Sequence, residues 1–193
     1  MNILCYGDSN TYGYDPRSFL ADRYPEEHCW TTHLANAGHH VLNCGMNGRE
    51  IPHRPLEIES AIRFFAAEQA DLLIIMLGSN DLLMHPFYQA KDVANRMDEF
   101  LRAIRLTLPE QPILLLSPVP MALGAWVQED RLLQESARLS PLYAALAQKH
   151  LIAFADTAQW GVSLTFDGVH FSEQGHWSFS TGLLTWLKSE KYT

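Results

Sequence analysis

The chain has 193 residues, enough to bury one full core and short for two domains. A net charge of −8 argues against partners that need a basic face, nucleic acid or an anionic membrane surface. The hydrophobic fraction of 47% is that of an ordinary globular protein, and no run approaches the roughly 18 apolar residues of a membrane span. The first residues read as a strand, with no basic n-region and no apolar h-region, so no signal peptide is expected. Cys5, Cys29 and Cys44 form no CxxC pair, and such a set of thiols suits a reducing cytoplasm. With no repeat, low-complexity run or linker, residues 1–193 are expected to form one domain.

Taken in order, short apolar runs alternate with longer amphipathic ones. NILCY (2–6) is a strand, Trp30 to Ala37 a short helix stopped by Gly38, and HVLNC (40–44) a second strand. Pro55 to Ala67 is helical, with an apolar face from Leu56 to Phe65. DLLIIML (71–77) is apolar throughout, as in a strand covered on both faces. A helix over Lys91 to Leu106 precedes a fourth strand, PILLLS (112–117). Arg131 to Leu151 is a long helix that Pro141 should kink or restart. IAFADT (152–157) is the fifth strand, and Ser172 to Leu187 the closing helix. This order predicts a flavodoxin-like α/β/α sandwich around a five-stranded parallel sheet, with ligands at the carboxyl ends of the strands.

The segments at those carboxyl ends are polar and glycine-bearing. Gly7-Asp8-Ser9-Asn10 comes after the first strand, Gly45-Met46-Asn47-Gly48-Arg49 after the second, and Gly78-Ser79-Asn80-Asp81 after the third. Asp167-Gly168-Val169-His170 precedes the last helix. Ser9 offers a nucleophile, His170 a base, and Asp167 a carboxylate able to orient it. Asn80 and a backbone N–H near Gly48 offer donors to an oxyanion. A serine hydroxyl needs a base to take its proton, and a tetrahedral intermediate needs donors aimed at its charge. Asp8 reads as a turn cap and Asp81 as a loop-holding carboxylate. Arg49 is read as an ion-pair residue ahead of a site support, and His176 as packing or capping. No histidine spacing suggests a metal site.

These four segments resemble the blocks of the SGNH hydrolases, the GDSL esterase/lipase superfamily: GDSN, NCGMNG, GSND and DGVH, in that order. The resemblance is closest to the small arylesterase and acyltransferase branch. It implies ester hydrolysis or acyl transfer without a cofactor, with Ser9 as nucleophile, His170 as base and Asp167 as its orienter. It also implies an oxyanion hole from the Ser9 N–H, the Gly48 N–H and the Asn80 amide. Asn10 stands where the family name has Leu, a position without a catalytic part. The expected partner is a small ester, and self-association is left open because several relatives are oligomers.

The loops 82–88 and 118–126 are apolar and aromatic. They read either as pocket walls, with Phe87 and Trp126 as bulky stops, or as a packing or subunit patch. Short acyl esters are the expected substrates. A thioesterase or lysophospholipase on the same scaffold is the second reading. An FMN-binding module, suggested by SNTYG, is the third and leaves Asp167 and His170 without a use.

Overall fold

The computed structural model describes residues 1–18, 20 and 22–190; Phe19, Ala21 and 191–193, part of the expected 1–193 unit, lie outside the described residues. Five strands, β1 (Asn2–Gly7), β2 (His40–Gly45), β3 (Leu72–Met76), β4 (Ile113–Leu116) and β5 (Ala153–Ala155), form one sheet. Their order is β2-β1-β3-β4-β5, and all the pairings are parallel. This is the flavodoxin-like order expected from alternating strands and helices.

Period-two alternation explains the layers. Ile3 and Cys5 of β1, Leu72, Ile74 and Met76 of β3, and Leu114 and Leu116 of β4 point to one face. There they meet Trp30 and Leu34 of α2 (Trp30–Asn36) and Phe179, Leu183 and Leu187 of α7 (Glu173–Ser189). Leu4, Tyr6, Leu73, Ile75, Ile113 and Leu115 point to the other. That face is covered by α3 (Pro55–Glu68), α5 (Ala90–Thr107) and α6 (Asp130–His150). Of the kink or restart expected at Pro141, the restart does not occur: α6 is one helix with the proline inside it. The missing Pro141 N–H costs one intrahelical bond, while buried Leu139, Tyr143 and Ala147 hold that stretch of the helix down.

Two further helices, α1 (Ser9–Tyr12) and α4 (Ser79–Met84), come directly after β1 and β3. At four and six residues they are too short to show a 3.6-residue apolar period. Each begins within a few residues of its strand, so the polar residues after β1 and β3 sit in helical first turns at the carboxyl edge.

Candidate active site

Close approach of backbone places Ser9. A Cβ on Gly7 would stand 2.0 Å from the Thr11 hydroxyl, and one on Gly45 would stand 2.0 Å from the Tyr12 nitrogen. These two glycines let α1 fold back over the ends of β1 and β2. Asp8 caps α1, its side chain accepting the Asn10 N–H at 2.9 Å. Burial pushes the Asp8 carboxyl up to about 6, against the pull of that N–H.

Ser9 Oγ lies 3.0 Å from His170 Nε2, and His170 Nδ1 lies 2.7 Å from Asp167 Oδ2. The other Asp167 oxygen accepts the Val169 and His170 N–H groups at 2.9 and 3.0 Å and the Thr165 hydroxyl at 2.8 Å. Burial disfavours its charge, but the His170 ring N–H and these backbone donors outweigh it and hold Asp167 down at about 2. An ionised acceptor fixes the ring proton on Nδ1, so the Nε2 lone pair faces the Ser9 hydroxyl. Ser9, Asp167 and His170, separated by up to 161 positions in sequence, are all buried.

The loop carrying His170 is held from two sides. Asn10, beside Ser9, donates from its amide to the Val169 carbonyl at 3.2 Å and accepts the Phe171 N–H at 2.9 Å. One side chain thus grips the residues before and after His170. From the other side, Ala122, Ala125 and Trp126 donate their backbone N–H groups to the Gly168, Phe166 and Asp167 carbonyls at 3.0, 2.9 and 3.0 Å. Gly168 has φ +81°, and a Cβ there would strike the Ala122 carbonyl oxygen. The rings of Tyr14 and Trp126 meet the imidazole edge to face, with centroids at 4.7 and 5.0 Å.

Gly48 lies on the loop after β2 and Asn80 at the start of α4. Gly48 takes φ +72° in a turn closed by the Arg49 N–H on the Met46 carbonyl. Nothing lies within 4 Å of where its Cβ would stand, so the backbone angle, not crowding, calls for glycine. Asn80 is in the first turn of α4, capped by Gly78, and donates to the Arg49 carbonyl at 3.0 Å, leaving a second amide hydrogen for another acceptor. Asp81 holds the loop, as expected, by accepting the Ile51 N–H. Arg49 departs from its ion-pair reading. Its guanidinium donates to the Gly7 and Cys44 carbonyls and lies 4.1 Å from the Tyr6 ring centroid, tying together the ends of β1 and β2.

The expected pocket stops part company. Trp126 stands against His170, whereas Phe87 is 92% exposed in the single chain. A loop residue's apolar character says nothing of its direction, which is why the sequence offered both. A cleft of about 820 Å³ opens beside Gly48 and Arg49, lined by Met46, Ile51, Leu56 and Phe64 among others. Its lining does not include Ser9 or His170. Ser117, another serine at the sheet edge, is engaged with Asp156 and Thr157. His176 packs on Tyr24 and Phe171 and accepts the Trp30 N–H, and its burial pushes its basicity down to about 3. Among the described residues no group of three or more His, Cys, Asp or Glu side chains is arranged to hold a metal ion.

Residues 5–177 match the GDSL-like lipase/acylhydrolase family. The chain belongs to that family. As a member of this family it resembles solved structures over nearly their whole length. An aryl esterase of M. smegmatis is 27% identical, with a TM-score of 0.82 over 97% of this chain and 98% of that one. A carbohydrate acetylesterase family member from Sinorhizobium meliloti is 26% identical, with a TM-score of 0.83 over 97% of each. An acetylxylan esterase of Xylanibacter ruminicola is 22% identical over 91% of this chain. The GDSL-family chain spans only 40% of that relative's length.

Sequence reasoning missed two contributors to this GDSL-family site. Tyr14 carried no signal, because nothing local says that its ring returns over His170. Asn10 was visible as a departure from Leu, but its two bonds cross 159 and 161 positions. No helix of the described residues is long and apolar enough to cross a membrane.

Proposed function

We propose that the chain is a serine esterase acting on short-chain carboxylic esters, with Ser9 as nucleophile, His170 as base and Asp167 as its orienter. The observation that carries the proposal is the unbroken relay Ser9 Oγ–His170–Asp167, at 3.0 and 2.7 Å. Ser9 Oγ bonds to the ester carbonyl carbon as its proton passes to His170 Nε2. The oxyanion is held by the Ser9 and Gly48 N–H groups and the free Asn80 amide hydrogen. His170 then returns the proton to the leaving alcohol as the C–O bond breaks. Water repeats the sequence on the acyl-Ser9 ester and releases the acid. An alcohol in place of water gives acyl transfer by the same steps.

Short acyl groups are favoured by the pinned loop that stands Trp126 against His170. The names of the relatives, acetylesterases and an aryl esterase, agree with this choice. Each added methylene gains roughly 0.8 kcal/mol only where it is buried. With p-nitrophenyl esters of graded length, kcat/KM peaks at acetyl to butyryl and falls steeply by octanoyl, and Ser9→Ala removes the activity. A profile climbing through palmitoyl overturns the short-chain reading in favour of a thioesterase or lysophospholipase.

A further inference from the structure

An arginine outside every motif joins the loop that carries Gly48 to the helical turn that carries Asn80. Arg96, on α5, donates through Nη1 to Glu50 Oε2 at 2.7 Å and to Asp81 Oδ1 at 2.8 Å. Its Nη2 donates to the Tyr88 hydroxyl at 2.8 Å. The guanidinium carbon also lies 4.7 Å from the Tyr88 ring centroid, and the Tyr88 ring stacks on His85, whose Nε2 is 2.7 Å from the same Glu50 oxygen. Successive residues of the loop and of the first turn of α4 are therefore zipped together. Asn80 donates to the Arg49 carbonyl, Ile51 donates to Asp81, and Glu50 is joined to Asp81 through Arg96.

The chemistry makes the arginine the necessary member. Glu50 and Asp81 are two carboxylates held by one nitrogen, and Asp81 is wholly buried. Without a cation between them their charges repel, and an uncompensated buried carboxylate is costly. Gly48 stands two residues before Glu50 and Asn80 stands next to Asp81, so the tie between Glu50 and Asp81 also bears on the spacing of Gly48 and Asn80. We propose that Arg96 is a positioning residue that sets the width of the oxyanion hole. It touches no substrate. Its planar fork holds both carboxylates and the Tyr88 hydroxyl at once, a geometry that a lysine point charge does not reproduce.

The inference rests on the proposed oxyanion role of Asn80, so the test is a cycle that separates the two. Wild type, R96M, N80A and the double variant are compared by kcat and KM on p-nitrophenyl acetate, at a temperature where circular dichroism shows each to be folded. N80A alone lowers kcat on the order of a hundredfold or more. R96M lowers kcat on the order of tenfold to a hundredfold with KM little changed, because a misplaced donor fails mainly in the transition state. The double variant is no slower than N80A beyond about twofold, since the hole is already lost. R96M with wild-type kcat, or a loss that multiplies in full on the N80A background, overturns the positioning role. N80A with wild-type kcat overturns the oxyanion assignment itself, and the role of Arg96 falls with it. If R96M does not fold, R96K, which keeps the charge but loses the fork, is read on the same cycle with the same outcomes.

Discussion

Asp8 shows how much strain one carboxylate beside Ser9 introduces. Its ordinary value of 3.8 is pushed up to about 6 by burial, the Asn10 N–H only partly offsetting the desolvation. The folded state therefore holds the Asp8 proton more tightly than the unfolded chain does. Folding gains from this group as pH falls from about 6 towards 3.8, and above about 6 the ionised carboxylate weighs on the folded state in full. The step from 3.8 to about 6 corresponds to roughly 3 kcal/mol at about 1.4 kcal/mol per pH unit. Asp8→Asn keeps an acceptor for the Asn10 N–H and removes the charge. Urea denaturation is expected to find the variant more stable than wild type at pH 7, with the gap narrowing towards pH 4. A variant no more stable than wild type at pH 7 would mean that the buried charge is compensated.

At the scale of elements, the site is a junction between α1 and the loop before α7, and Asn10 is its fastener. The sheet brings β1 and that loop to one edge, but the edge alone does not fix a hydroxyl and an imidazole at 3.0 Å. Asn10→Ala leaves the Val169 carbonyl and the buried Phe171 N–H without their partner. Each unsatisfied group costs about 1–3 kcal/mol. A lower melting temperature and a fall in kcat larger than any rise in KM are expected, as His170 loses its register with Ser9. Wild-type kcat in a destabilised but folded Asn10→Ala would show that the loop clamp formed by Ala122, Ala125 and Trp126 is sufficient. The glycines at Gly7 and Gly45 belong to the same junction, since any side chain there would push α1 off the strands.

Over the whole molecule, the parts that were legible in the sequence are those governed by local period and by strand-end position. β1 to β5 and the long helices arise from runs such as LLIIM and from apolar residues at helical spacing. Ser9, Asp167 and His170 were legible because each comes after a strand or before a helix, and a parallel sheet gathers such points at one edge. The contributors that stayed hidden depend on side-chain direction or on contacts far apart in sequence. Phe87 and Trp126 looked alike as loop aromatics, yet one faces solvent and the other faces His170. Arg96 lies within the helix read over Lys91 to Leu106 and carries no local signal, because its two carboxylate partners lie 46 and 15 positions away.

The relay through Ser9 is the centre of the account, and covalent labelling tests it most directly. A fluorophosphonate reacts with a serine whose hydroxyl is activated by a base and whose oxyanion is stabilised. Peptide mapping of the labelled protein should place one phosphonyl group on Ser9, and Ser9→Ala should take none up. A label on Ser79 or Ser117, or none on a protein that still cleaves p-nitrophenyl acetate, would contradict it.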